Sequence, residues 1–436
     1  MHRTRVEHCY FDISPRIVPA DRVTTVEIRP LYDHCRFDAA VECEVRYYPA
    51  ESFALRSGWP PPVPGRARPQ GGVLRLPQYF EGEQEHVFFV SRPGPNGLAP
   101  VGDFRVYSLA PDLLARRPWR GDLHMHSCRS DGRETPAYVA ASCRRIGLDF
   151  MAVTDHRLHA PSLEARAAYE GVPIDLAIYP GEEIHPPDCP VHIVNFGGRS
   201  GITELFADDA AYRRGVQAVL KAAGPLPPGV VPYQYGAAAW VYDRIREAGG
   251  LGIFCHPYWF SDHQYALPVP LTNCILERQP FDALELVGGY SHDFDSDTLQ
   301  LARYHDERAA GKRIPIVGTT DSHGVERRDM DLFDRYSTVV FAPALTVTDV
   351  VASIKDLYSV AILNAPEDRP RAFGPFRLVK YALFLLREVF PQHDELCAEE
   401  GRLMLAYAAG DATAKEALAR LKGRVAAYMD GLWASR

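Results

Sequence analysis

Nine side chains of metal-ligand type follow one another along a single stretch of this chain, each where a strand pattern runs out. His124 and His126 lie in GDLHMHS, Asp131 in SDG, His156 in TDH and Glu183 in PGEEI. His192 follows in VHIVNFGG, His256 in FCHP, and Asp321 and His323 in TTDSH. Imidazole nitrogens and carboxylate oxygens bind Zn, Mn and Fe as divalent ions, and the set needs no thiolate. Six His, two Asp and one Glu can hold two or three such ions if one carboxylate is shared. Metals about 3.5–4 Å apart serve in-line displacement at phosphorus or attack on a carbonyl. The pattern therefore predicts a multinuclear metallohydrolase.

Taken singly these residues say little. Two histidines flanking an apolar residue are common on strands, although alternation puts His124 and His126 on one face with Met125 on the other. Asp131 alone would be an ordinary Asx turn, and His156 a residue at a helix entry. It is the ordered set that carries weight. Around it, Asp122 and Asp155 adjoin ligands and are expected to orient imidazoles. Arg129, Arg157, Arg327 and Arg328 follow ligand motifs, where a guanidinium can grip phosphate by its two-pronged fork. His159, His185 and His263 are candidate proton donors, and Glu285 in DALELVGG is a candidate substrate contact. The expected catalytic residues are Glu183, Asp321, Arg157 and His159. No GxSxG, dinucleotide fingerprint or P-loop is present.

The elements that must position these residues divide the chain into three. Residues 1–118 hold short β-rich runs (Arg22–Ile28, Ala40–Tyr48, Val73–Leu76, His86–Val90, Phe104–Leu109) between Pro/Gly-rich breaks, which predicts an antiparallel all-β sandwich. Residues 119–365 alternate strand, ligand and helix. Pro136 opens a helix that Gly147 ends, and DFMAVT is a strand leading to His156; Ala237–Glu247 and Thr298–Ala310 repeat the grammar ahead of His256 and Asp321. Ligands at the ends of parallel strands describe the active-site face of an α/β barrel. Residues 198–235 break the alternation and are expected to form a lid or substrate wall. Residues 366–436 form a helical segment, with amphipathic helices over Arg377–Phe390, Asp394–Ala408 and Thr413–Leu432.

The ordered HMH, SDG, TDH, PGEE, His, CHP and DSH motifs resemble the PHP (polymerase and histidinol phosphatase) domain. The leading GDLH and the β region before it are most similar to the carbaryl-hydrolase-like branch. The resemblance covers residues 119 to 363 and implies a distorted (β/α)7 barrel with a trinuclear site. It implies that His124, His126, Glu183 and Asp321 bind a first metal. Glu183, bridging, would hold a second with His192 and His256, and Asp131, His156 and His323 a third. The family's Gly-x-Glu-Ile spacing selects Glu183 over Glu182.

Composition excludes several other classes. With 46% hydrophobic and 24% charged residues the chain can build a packed core, and it lacks a disorder signature. A net charge of −8 argues against coating nucleic acid or a membrane. The nine scattered cysteines include no CxxC pair, so neither a zinc ribbon nor a disulfide framework is expected. No apolar leader or spanning run is found, and a cytoplasmic location is expected. The expected partner is a small-molecule substrate, with homo-oligomerisation left open. The favoured activity is hydrolysis of a small phosphomonoester or phosphodiester by a metal-bridging hydroxide. The rivals are a carbamate, ester or amide hydrolase using the same site, favoured by an aromatic pocket of Tyr233, Tyr235, Tyr258, Trp259 and Phe260, and a non-catalytic binding protein with a vestigial barrel.

Overall fold

The structure, a computed structural model, describes residues 4–51, 65–289, 294–326, 333–364 and 369–434. The chain folds into two compact units: residues 1–117 with 380–396 and 423–436, and residues 118–379 with 397–422. The C-terminal helices are thus divided between the two units and do not form a third domain of their own.

The first unit, to which helical residues of 380–396 and 423–436 also belong, holds two sheets, as the alternating N-terminal runs predict. They are not wholly antiparallel, since Ile17–Pro19 pairs parallel with Gly97–Leu109. Phe11–Ser14, Arg22–Pro30 and Leu74–Phe80 form one. Ile17–Pro19, Gly97–Leu109, Glu85–Gly94, Cys43–Pro49 and Gly65–Ala67 form the other. Their inward residues share one core: Ile13, Val26 and Ile28 from the first sheet meet Phe88, Val90 and Phe104 from the second. The end of the chain closes this unit. Ile17 bridges Trp433, and Arg16 donates from its guanidinium to the carbonyl of Glu388. Glu388 itself is buried and pairs with His8 at 3.1 Å and Arg5 at 3.2 Å.

The second unit contains two sheets. One runs Ala177–Tyr179, Phe150–Ala152, Arg117–Asp122, Tyr336–Ala342, Ser359–Leu363, Arg371–Phe373. The other runs Gly181–Ile184, Ile193–Phe196, Leu251–Phe254, Ala283–Gly288, Ile316–Thr319. The expected (β/α)7 barrel of parallel strands does not form as such. Gly181–Ile184, Ile193–Phe196 and Leu251–Phe254 pair antiparallel, as do Tyr336–Ala342, Ser359–Leu363 and Arg371–Phe373. Only eight residues separate Ile184 from Ile193, and a parallel crossover needs a dozen or more. Parallel pairing is kept between Leu251–Phe254, Ala283–Gly288 and Ile316–Thr319. The two sheets touch through isolated bridges, Met125 to Ser322 and His156 to Glu183.

Helix boundaries follow local chemistry. Thr135 caps Pro136–Arg145 by accepting from the Tyr138 N–H. Residues 198–235 are not an irregular lid: Asp208 caps a helix over Asp209–Ala223 whose Tyr212 and Val216 are buried, Tyr212 lying edge-on to Trp240. The expected helix over Thr413–Leu432 breaks into Ala414–Leu421 and Arg424–Gly431, because Gly423 takes φ +81°. Two helices meet next to Pro391: Phe376–Glu388 ends and Phe390–Ala408 begins with Pro391 in its first turn, where a missing N–H costs nothing. Among the described residues no helix is long and apolar enough to cross a membrane.

Within the second unit, residues 397–408 of the helix Phe390–Ala408 pass close to Pro136–Arg145. Arg144 is fully buried and pairs with Glu400 at 2.7 Å. Next to it, a Cβ on Gly401 would stand 2.3 Å from the Arg145 nitrogen. Two effects oppose each other in Gly401→Ala. Helix propensity gains about 1 kcal/mol, while overpacking against backbone costs about 1–3 kcal/mol. Backbone cannot swing aside as a side chain can, so the cost prevails. Urea unfolding of Gly401→Ala should show a net loss of stability; a gain would mean the helices are not in contact there.

Candidate metal centre

His124 and His126 leave Arg117–Asp122 on an extended segment whose Met125 turns into the core. That segment pairs with the residues after Ile316–Thr319. The Asp321 N–H donates to the His124 carbonyl at 2.9 Å and the His126 N–H to the Ser322 carbonyl at 2.8 Å. Glu183 comes from the other direction, on Gly181–Ile184, with its N–H on the Thr154 carbonyl. Alternation sends Glu183 into the site and Glu182 away, where it accepts from the Ile202 and Thr203 N–H groups.

Four buried atoms then converge. His126 Nε2 lies 2.9 Å from Asp321 Oδ1, 3.3 Å from His124 Nε2 and 3.4 Å from Glu183 Oε2. His124 Nε2 lies 3.2 Å from Asp321 Oδ1 and 3.6 Å from Glu183 Oε2. A tetrahedral ion with bonds of ~2.0–2.1 Å holds its ligand atoms ~3.3–3.4 Å apart. The spacing suits one ion. The other oxygen of Glu183 has surroundings of its own: His192 Nδ1 at 2.9 Å, His256 Nε2 at 3.3 Å and His185 Nε2 at 3.6 Å. Asp131 gathers a third set, with His156 Nε2 at 3.2 Å, His323 Nε2 at 3.4 Å and His126 Nδ1 at 3.9 Å. All nine candidate ligands therefore lie together.

The donor atoms fit divalent ions on a second count. Glu183 Oε2, His126 Nδ1 and His185 Nε2 are buried with no hydrogen-bond partner among the described residues. His156 Nδ1 and Glu183 Oε2 approach to 2.6 Å, yet not in hydrogen-bond geometry. Lone pairs crowded around a buried carboxylate are costly unless a cation sits between them. Burial opposes ionisation of Glu183 and Asp321, but the surrounding imidazoles, His124 foremost, hold both carboxyls well below the usual range. Burial pushes the His192 imidazole down to about 4, which leaves it neutral and able to ligate. His256 and Asp321 sit at φ 29° and 52°, a region non-glycine residues avoid unless the surroundings impose it.

A surrounding layer fixes these groups. Glu285 is wholly buried and accepts from the Thr319 hydroxyl at 2.6 Å and the His256 N–H at 2.9 Å. It also faces His124 Nδ1 at 3.4 Å, which holds that proton on Nδ1 and leaves Nε2 free. Glu285 is therefore a support for His124 and His256, where a substrate contact was expected. His323 Nδ1 lies 2.8 Å from the Asp321 carbonyl, which turns its Nε2 toward Asp131. Asp122 and Asp155 brace backbone and hydroxyl groups and touch no imidazole. Asp122 takes the His124 and Thr320 N–H groups, and burial pushes its carboxyl up to about 7. Asp155 takes the Ser127 and Ser130 N–H groups, which fixes the SDG turn carrying Asp131.

A cavity of about 300 Å3 opens over the ligands. Arg157 and His159 are not among its lining residues. Arg157 is exposed at φ 60°, with its N–H on the Glu183 carbonyl, so the turn aims its side chain elsewhere. His159 is buried against the Gly198 carbonyl at 3.2 Å. Arg129 pairs with Glu164 in solvent, and His263 is exposed in a turn. Arg327 and Arg328 lie outside the described residues. Nothing from 198–235 lines the cavity, and of the expected aromatics only Trp259 does. Arg133 lines it and was passed over in the sequence, although SDGR places it two residues after Asp131. His185 also lines it, stacked on His192 with ring centroids 3.7 Å apart.

No family model and no curated protein matches this chain. Solved structures do. One is a two-domain protein from Bacteroides vulgatus containing a predicted PHP-like metal-dependent phosphoesterase, 17% identical, TM-score 0.41, over 57% of this chain and 66% of that one. Another, from Bifidobacterium adolescentis, is described as a metal-dependent phosphoesterase, 20% identical, TM-score 0.33, over 47% and 87%. A third is an amidohydrolase from Chromobacterium violaceum with bound sulfate and no metal, 23% identical, TM-score 0.33, over 48% and 89%. The match spans just under two thirds of the Bacteroides protein. At these scores the likeness says nothing further about the site, whose chemistry rests on its own geometry.

Two substitutions separate ligand from support. Glu183→Gln removes the charge that two groups share, and metal content measured after desalting should fall by more than half. Glu285→Gln should keep the metal but weaken its affinity by about 10–100-fold in a chelator competition. Wild-type metal content in Glu183→Gln would refute the shared carboxylate.

Proposed function

We propose that this chain is a metal-dependent hydrolase acting on a small phosphomonoester or phosphodiester. The observation that carries the reading is Glu183, whose two oxygens face two different sets of imidazoles. Divalent ions bound there would lower the pKa of water toward neutrality and neutralise charge on the reacting group. His124, His126, Glu183 and Asp321 would hold one ion, Glu183, His192 and His256 a second, and Asp131, His156 and His323 a third. Metal identity is open among Zn, Mn and Fe, since the donor set suits all three.

The chain's own residues supply the rest. Glu285 and the Asp321 carbonyl hold imidazole protons away from the site, so ring orientation is fixed before substrate arrives. Arg133 takes the part that Arg157 was expected to play. It is the only Lys or Arg lining the cavity among the described residues, and its N–H on the His323 carbonyl anchors it at the rim. A guanidinium there can grip the non-bridging oxygens of a phosphoryl group. A carbamate, ester or amide substrate is the second reading. It is favoured by Trp259 in the cavity wall and by the single lining cation.

Metal-loaded protein should hydrolyse at least one small phosphoester faster than any carbamate, ester or amide. Arg133→Ala should lower kcat/KM on that phosphoester by about 1.5–3 kcal/mol, with metal content unchanged. Turnover of carbamates or amides alone under the same loading would replace the substrate class and leave the metal centre standing.

A further inference from the structure

We infer that the substrate carries a flat aromatic or heteroaromatic ring, bound against the indole of Trp259 beside the bare backbone of Gly288–Gly289. The inference rests on the hydrolase reading above for the group that reacts, and it is independent of whether that group is a phosphoester.

Among the described residues, Trp259 is the one aromatic side chain other than histidine in the cavity wall. Its ring centroid lies 5.8 Å from that of His256 and 6.0 Å from that of His192, so a group on the indole is within one ring's width of the reacting centre. The indole does not hang on a loose loop. The Trp259 N–H donates to the His256 carbonyl at 3.0 Å, and its carbonyl accepts from Ala266 at 2.9 Å, across the root of the hairpin Phe260–Ser261 and Gln264–Tyr265. A second surface of the same cavity is peptide backbone. Gly288 and Gly289 take φ 149° and 113°, and a Cβ built on Gly289 would meet nothing within 4 Å. A side chain on Gly289 would take up space left open among the described residues, whereas a Cβ on Gly288 would run into the Thr319 carbonyl oxygen. Adjacent residues hold the two surfaces in place: the Ser296 hydroxyl donates to the Tyr258 carbonyl, and Asp297 accepts from the Gly288 N–H, both at 2.8 Å.

An indole face and a bare peptide are both flat, and flat π-surfaces pair with rings better than with puckered chains of equal size. An ammonium group could also sit over the indole. The cations gathered around Glu183 and the Arg133 guanidinium would repel it.

The test compares benzyl phosphate with cyclohexylmethyl phosphate, which have similar size and similar leaving alcohols, on metal-loaded protein. Choline phosphate serves as the ammonium probe. Wild type should prefer benzyl phosphate in kcat/KM by about tenfold. Trp259→Ala should bring that ratio near one, and Trp259→Phe should restore most of it, with metal content measured throughout. Benzylphosphonate, which cannot turn over, should bind wild type more tightly than cyclohexylmethylphosphonate and should quench tryptophan emission. That binding arm decides the matter if Trp259→Ala loses metal or if no substrate reacts. Equal handling of the two rings by wild type, a ratio unmoved in metal-replete Trp259→Ala, or a preference for choline phosphate would overturn the inference. If phosphates are inert while benzyl carbamate outruns cyclohexylmethyl carbamate with the same dependence on Trp259, the ring stands and the phosphoester reading falls.

Discussion

A single buried carboxylate sets the terms for the second unit. Glu183 is almost wholly buried, and a lone anion at such depth is expensive enough that proteins normally neutralise it by protonation. Here the imidazoles packed around it keep it ionised, and its two oxygens point into different sets of them. One short strand therefore carries the group on which two clusters depend. The backbone strain at His256 and Asp321 is consistent with this. Both residues hold unfavourable φ values where their side chains must reach the same centre.

The positioning is done by backbone, not by long side chains. His124 and His126 face Asp321 because two strand extensions pair past the ends of their sheets. Glu183 reaches the same place because Gly181–Ile184 belongs to an antiparallel group whose return loop is short. Acidic residues beside the ligands tie down turns, as Asp155 does for the SDG segment, while Glu285 acts directly on His124 and His256. Every residue lining the cavity belongs to the second unit. The sheets of the first unit contribute none among the described residues.

The wall of the cavity differs in character from its floor. Besides the imidazoles and carboxylates of the floor, one arginine, one tryptophan, one serine and two glycines line the cavity. Such a division separates tasks. The floor suits charge and reaction, and the wall suits selection by shape and by a single cation.

How much of this was legible in the sequence depended on range. The nine candidate ligands could be picked out because their motifs follow one another in a recognisable order, and alternation puts His124 and His126 on one face, although the structure sets Glu183 inside a strand and His192 ahead of one. The β-rich N-terminal unit and most helix boundaries are local too, set by caps such as Thr135 and by glycines that accept positive φ. Other features depend on partners distant in sequence. Arg157 and Arg133 look alike as loop residues after a ligand; a turn at φ 60° sends one into solvent, and a bond to the His323 carbonyl brings the other to the cavity rim. Glu285 reads as a strand end facing a substrate until Thr319 and His124 are seen to enclose it. Strand direction was also beyond local reach, since a parallel and an antiparallel ladder bury the same apolar runs, and strands joined through helices pair both ways here. The sequence by itself determined which atoms could bind metal. Tertiary structure decided which of them share an oxygen, which arginine reaches the cavity and which aromatic borders it, because those depend on where separate strands end in space.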